Sequence, residues 1–430
     1  MKKLPVTLHE RTLKNGMKVV IVHKPDYVKS LFMLGIPAGG TSLYYEQNGQ
    51  VSRFPSGCAH FLEHQMFRLH GEDVTPLLAS MQAQSNAFTD YTQTCYYVMT
   101  AAKPWGPLKT LIEFVQTLDI TDQSIQKERG IILSEYDMYA SSPDSRIMTA
   151  MMEALYQKHP INTEVLGSRA DIEKITKEDL ERFYRLYYDP SQLVLSGVTG
   201  CDPEEVLDFI EKMEEQYPSR IAQKPKRIIP EEPREVRYKN RRLTMDVQRP
   251  YCAMGVKLEP KGSGQENLRW DFLINLWLDG LFGVMNPEYQ KWMDERIITQ
   301  SCGAEADFGM DFAMILVYSQ TDRPEAFFKL ARRLIQDKVM PSDDVLNALK
   351  IQYTAAALRS LDSFEALAAD QIRGSFQGFD PLKAARIVQS IQPEDIRKAV
   401  DSLDFGSIST IQIDPQSQSG ASLEMETEIC

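Results

Sequence analysis

Histidine is scarce in this chain, six residues in 430, so two of them at a chemically useful spacing carry information. Cysteine is sparse and unpatterned: Cys58, Cys95, Cys201, Cys252, Cys302 and Cys430 include no CxxC pair. That excludes a thiolate zinc site and a disulfide framework and points to reduced, mostly buried thiols. No apolar run approaches the ~18–20 residues of a membrane span, so no transmembrane helix is expected. Met1-Lys2-Lys3-Leu4 leads into no apolar stretch of a secretory signal, and cytoplasmic residence is the default expectation. A basic surplus is missing too. The net charge of −12 disfavours nucleic acid and anionic membranes as partners and favours cationic peptides.

What is present is an ordinary globular composition, 43% hydrophobic and 25% charged, in a chain long enough for two or more cores. Asn15-Gly16 reads as a tight turn before the β-rich run Lys18–Val22, and a second strand is expected over Ser30–Ile36. A helix is expected from His60 to Leu69, then a hairpin over Gln82–Thr100. Helical periodicity follows at 107–119, 121–142, 144–158, 177–187 and 203–216, then at 268–282, 324–337, 342–371 and 381–401. The proline- and charge-rich stretch 217–236 reads as a linker between domains 1–216 and 237–415, and the Ser- and Glu-rich tail 416–430 as mobile. The halves echo one another. Ile175-Thr176-Lys177-Glu178-Asp179 recurs in form as Ile391-Gln392-Pro393-Glu394-Asp395, each a helix start followed by a short strand. Two similar α+β domains, each a mostly antiparallel sheet with helices on one face, are the expected fold.

The chemistry concentrates in Gly57-Cys58-Ala59-His60-Phe61-Leu62-Glu63-His64. On a helix His60 and His64 stand at i and i+4, with Glu63 on the same face. Two imidazoles and one carboxylate would hold a zinc ion with a position left open for water, which zinc acidifies to a pKa near ~7. Glu63, between the histidines, is the natural general base. The third ligand must come from elsewhere. Glu128 and Glu135 lie two helical turns apart, on a face shared with Ile125 and Ile132, and carboxylates in an apolar stripe need a reason to be there. Cys58 points off the histidine face. His9, His23, His70 and His159 have no partner spacing and read as structural.

His60-Phe61-Leu62-Glu63-His64 followed by Glu128-x6-Glu135 resembles the pitrilysin/insulinase family of inverted-motif zinc peptidases, which includes the mitochondrial processing peptidase. The resemblance implies one zinc per chain held by His60, His64 and Glu135, with Glu63 as base and Glu128 supporting the site. Asn86-Ala87-Phe88-Thr89 resembles the family's substrate-binding edge strand, which takes an extended peptide by β-augmentation. His159-Pro160 with Leu166-Gly167-Ser168 resembles its His-Pro…Gly segment. Family members pair four such domains into a closed clam, so two domains imply half of one and a homologous partner subunit, a heterodimer rather than a homodimer. Many active relatives carry an Arg and a Tyr where this chain has Trp292 and Thr299. In this the chain resembles the zinc-bearing half of heterodimeric bacterial members, some of which process peptide precursors. The resemblance therefore implies a zinc-dependent endopeptidase subunit acting on short or unfolded peptides; the alternative is a non-catalytic partner or scaffold.

Overall fold

The computed structural model describes residues 6–47, 49–221, 224–262 and 264–416. They divide into two compact units. The first takes in the chain up to Tyr136, Thr163–Ile229 and Ser360–Phe376; the second takes in Asp137–Asn162, Pro230–Arg359 and the chain from Gln377 onward. The expectation of a mobile tail falls, beyond Gln416, outside the described residues.

The first unit holds a six-stranded sheet in the spatial order Thr7–Thr12, Lys18–His23, Val194–Thr199, Ser30–Ile36, Thr94–Thr100, Ala83–Thr89. Lys18–His23 and Val194–Thr199 run parallel and every other neighbour pair is antiparallel. The second unit repeats this plan with five strands: Asn240–Met245, Ile408–Pro415, Tyr251–Leu258, Ala313–Gln320, Gly303–Phe308. Here too a single pair is parallel, Asn240–Met245 with Ile408–Pro415, and the rest are antiparallel. Two homologous α+β domains are therefore built into the one chain. The echo at the helix starts is real in detail: Thr176 with Asp179, and Gln392 with Asp395, each close a capping box, so reciprocal bonds satisfy the free N–H groups of the first turn.

Both sheets are covered on two faces, which is why the central strand Ser30–Ile36 is buried at every position. One cover is borrowed. The helix Phe364–Gln377, from the second sequence half, packs on the first sheet at Gly35, where a Cβ would overlap Ile372; Pro143–Leu155, from the first half, packs on the second sheet at Gly255, where a Cβ would overlap Met151. Helices therefore lie on both sheet faces, not on one as expected. The incoming Phe364 helix is also held at its start by buried Lys24, whose Nζ donates to Leu361 O at 2.7 Å and sits over the Tyr27 and Phe364 rings at 4.3 and 5.0 Å.

Local chemistry overrides periodicity at three places. The helix expected over His60–Leu69 stops at Gln65, because His70 and Gly71 both take positive φ and close a two-residue hairpin between Arg68–Leu69 and Glu72–Asp73. The expected 342–371 helix breaks into Asp343–Arg359 and Phe364–Gln377, since Ser363 caps the second piece by accepting from Ala366 N–H. Pro393 likewise divides 381–401 into Ala384–Ser390 and Pro393–Ser402. Within the expected linker, Lys226–Ile228 forms a strand against Tyr44–Gln47.

One buried acid makes the first unit sensitive to pH. Glu214 accepts from Asn15 Nδ2 at 2.8 Å and Gln116 Nε2 at 2.6 Å, but burial outweighs these bonds and pushes its pKa up to about 7. A folded-state pKa above the unfolded value means stability is full below about pH 4.5 and is lost as pH rises through 7, by up to about 3 kcal/mol. Glu214→Gln should remove that loss, since among the described residues buried Gln116 Oε1 has no donor and can accept from the new amide; urea midpoints at pH 5 and pH 8 would then move together. Gly35→Ala should cost about 1–3 kcal/mol by overpacking, and Ile372→Ala in the same chain should return part of it.

Candidate active site

The motif helix Cys58–Gln65 begins at Gly57, whose φ of 88° is left-handed. Glycine is needed there for a second reason: a Cβ would overlap Leu166 O, so the Leu166-Gly167-Ser168 segment lies directly against the helix start. Ser56 fixes that contact. Its hydroxyl donates to Asp171 Oδ2 at 2.6 Å and accepts from Ser168 N–H at 2.9 Å. Phe61 and Leu62 anchor the buried side of the helix in the core.

The partner helix Asp122–Ser141 starts where Thr121 and Ser124 exchange backbone-to-hydroxyl bonds at 3.0 Å. Ile125 and Ile132 are buried, and they turn Glu128 and Glu135, half-buried, toward the histidines. Two bonds tie the helices together: Ser124 Oγ donates to Gln65 Oε1 at 2.7 Å and Gln65 Nε2 to Ser124 O at 3.3 Å.

His60, His64 and Glu135 converge so that one ligating atom from each lies within 4.8 Å of the others. Glu135 Oε2 is 3.8 Å from His60 Nε2 and 3.4 Å from His64 Nε2. Glu128 stands behind, its Oε1 2.9 Å from His64 Nδ1. A carboxylate accepts there, so the proton sits on Nδ1 and the Nε2 lone pair faces Glu135. Burial, with help from neighbouring His64, lowers the His60 pKa to about 3 and keeps that imidazole neutral. Burial opposes charge on His64 as well, but the bond to Glu128 and the nearby carboxylates outweigh it and raise its pKa. Burial raises Glu63, partly offset by Thr89, whose hydroxyl donates to Glu63 Oε2 at 2.6 Å.

The donor set of two imidazoles and a carboxylate is a zinc set, and among the described residues buried His60 Nδ1 has no hydrogen-bond partner. That atom is not the one that would meet a metal: the Nε2 atoms of His60 and His64 face Glu135 Oε2, and it is their convergence with this carboxylate that fits a zinc ion.

Asn86–Thr89 lies at the outer edge of the first sheet. Asp90 N–H donates to Gln93 O at 2.9 Å, which sets the hairpin's alternation: Asn86 and Phe88 spend their backbone groups on Thr94–Thr100, while Ala87 and Thr89 turn theirs outward. The side chains divide the same way. Thr89 and Ala87 face the Glu63 side, whereas Asn86 and Phe88 point to the opposite face, Asn86 across from Tyr97. The four candidate substrate residues thus do not act as one surface.

Sequence reasoning missed the Thr89–Glu63 and Gln65–Ser124 bonds, which join residues far apart in the chain and leave no periodic trace. Of the structural histidines, His159 is fully buried and its Nε2 lies 3.2 Å from Asp311 Oδ1. Trp292 is packed in the second unit's core, and Thr299 bonds to Ser301 and Ser319.

Comparison with known proteins bears on this arrangement. Residues 18–169 match the family model described as insulinase (peptidase family M16), and residues 174–353 match the model described as peptidase M16 inactive domain. The chain is 28% identical over 409 residues to the uncharacterized zinc protease YmfH of Bacillus subtilis, covering 93% of this chain and 94% of that protein. It is 28% identical over 207 residues to a probable mitochondrial-processing peptidase subunit beta of Schizosaccharomyces pombe, covering 47% of this chain and 43% of that one. The crystal structure of a putative M16-like peptidase from Alicyclobacillus acidocaldarius superposes with a TM-score of 0.89 at 25% identity, over 96% of this chain and 99% of the other. No described helix is long and apolar enough to cross a membrane.

Gly57→Ala should destabilise the protein by about 1–3 kcal/mol, through the strained φ and the clash with Leu166 O. Gly71→Ala is the control, with φ 85° but nothing within 4 Å of its Cβ, and should lose less in thermal or urea unfolding.

Proposed function

The chain belongs to the insulinase family, peptidase family M16, and on that footing we propose that it is a zinc-dependent endopeptidase subunit cleaving short or unfolded peptides. The observation that carries the reading is the convergence of His60, His64 and Glu135 beside a base on the same helix face. Zinc held by these three would supply Lewis acidity to a water and to the scissile carbonyl.

The remaining work falls to the chain. Glu63 takes a proton from the attacking water and delivers it to the leaving amine, a role suited to a carboxylate whose pKa burial has raised. Thr89 holds Glu63 in place, and Glu128 fixes the tautomer of His64. The outward backbone groups of Ala87 and Thr89 would align an extended peptide as an added strand. That leaves Asn86 and Phe88 a supporting role in the edge strand. Trp292 and Thr299 offer no cationic or phenolic group to a developing oxyanion, which favours a homologous partner subunit that supplies one. The relatives named as processing-peptidase subunits support a heterodimer. The domains 1–216 and 237–415 would be the metal-bearing and metal-free members of the pair, and a cytoplasmic setting suits the reduced thiols.

The scaffold reading draws on the inactive-domain description of residues 174–353. It predicts no tightly bound metal. We expect about one zinc per chain, lost in His64→Ala when metal content is measured. Glu63→Gln should keep the metal while peptide hydrolysis falls about a hundredfold to ten-thousandfold. Full activity in that metal-loaded variant would remove the base assignment, and activity of a homodimer would refute the heterodimer.

A further inference from the structure

Behind the Thr89 hydroxyl that reaches Glu63 stands a second one. Thr94 faces Thr89 across the hairpin, and their Oγ1 atoms are 3.3 Å apart. Because Asp90 and Gln93 are the bonded pair that closes the turn, Thr89 and Thr94 form the non-bonded pair next to it, the kind whose side chains come closest. The hydrogens can be assigned. A hydroxyl has one to give, and Thr89 gives its own to Glu63 Oε2 at 2.6 Å. Between the two threonines Thr94 is therefore the donor and Thr89 the acceptor. Thr94 Oγ1 also donates to Ala38 O at 2.9 Å, so its hydrogen is shared between that carbonyl and Thr89.

Thr94 is anchored where Thr89 is not. It is buried, whereas Thr89 is half-buried on the outermost strand of the sheet. Ala38 is buried too, in a loop pressed against the hairpin turn. A Cβ on Gly39 would lie 2.2 Å from Asp90 O, Gly40 N–H donates to Asp90 O at 2.9 Å, and Thr41 N–H donates to Tyr91 O at 2.9 Å. The Ala38 carbonyl is thus placed by backbone contacts that involve neither threonine. A threonine has three staggered χ1 positions, and turning Thr89 from the observed one to either of the others would move its oxygen by about 2 Å. The contact with Thr94 favours the position that serves Glu63.

We propose that Thr94 is a positioning residue for the candidate base: tied to the Ala38 carbonyl, its hydroxyl holds Thr89 in the rotamer that donates to Glu63. The hold on Thr89 is a matter of geometry, and its effect on catalysis rests on the peptidase reading.

The experiment separates the two. In zinc-loaded full-length protein, Thr94→Val should lower kcat for a mixture of quenched fluorogenic decapeptides about tenfold, with KM within about twofold and metal content unchanged. Thr94→Ser keeps the hydroxyl and should restore kcat to within about threefold of the wild type. Thr89→Val and the Thr89→Val/Thr94→Val double variant should share one kcat, since Thr94 acts only through Thr89. An equal loss from Thr94→Val in both backgrounds, or a serine variant as slow as the valine one, overturns the proposal. The second readout needs no hydrolysis. Three-bond couplings from the labelled Thr89 methyl carbon to its backbone nitrogen and carbonyl carbon should report one rotamer in the wild type and in Thr94→Ser, and averaging in Thr94→Val. One unchanged rotamer in Thr94→Val overturns the proposal whether or not peptide is cleaved. Averaging in a protein whose wild type cleaves nothing upholds the hold on Thr89 and removes the peptidase reading alone. Where valine is not accommodated, Thr94→Ala removes the same hydroxyl and is judged by the same two readouts.

Discussion

Ser124 and Gln65 exchange two hydrogen bonds across the gap between the motif helix and the acidic helix. Neither residue does chemistry. Yet a metal centre tolerates misplacement of its ligands by only a few tenths of an ångström, and Glu135 is carried three turns along its helix from that tie. The bond between His64 and Glu128 repeats the connection one turn further on, and buried Ile125 and Ile132 stop the acidic helix from rolling. With register and roll both fixed, His60, His64 and Glu135 have little freedom left to lose when an ion arrives.

Glu63 is held by different means. Its partner Thr89 sits on a strand edge, and the same residue turns its backbone outward. The side chain that steadies the base and the backbone that would receive a peptide are thus two parts of one residue. In the proposed reaction, a peptide added to this strand would act on the residue that holds Glu63, so substrate alignment and proton transfer would share Thr89.

How much of this the sequence disclosed depends on the range of the interaction. The spacing of His60, Glu63 and His64 is read within one helical turn, and Glu128 and Glu135 within two, so their shared faces were legible. The helix starts at Thr176 and Gln392 were legible for the same reason, and with them the repeat that gives the fold its two domains, though the reciprocal bonds of their capping boxes show only in the folded chain. Helix ends were not, because His70-Gly71 and Ser363 act through turn and cap geometry that hydrophobic periodicity does not register. Nor were the pairings of Ser56 with Asp171 or of Thr89 with Glu63, which only the folded chain brings together. The division of Asn86–Thr89 between two faces was implicit in the two-residue period of a strand, but only the hairpin's closing bond says which residues face which way.

The borrowed helices have a consequence for synthesis. The first sheet has all its strands once residue 199 has been made, but the helix that covers its second face ends at Gln377. Until then Gly35 and the apolar strand around it face water or a chaperone. The second sheet's borrowed helix, Pro143–Leu155, is by contrast made before any strand it will cover. Neither half can therefore mature alone on the ribosome, and a chain truncated between the halves would leave one sheet bare and one helix without a floor.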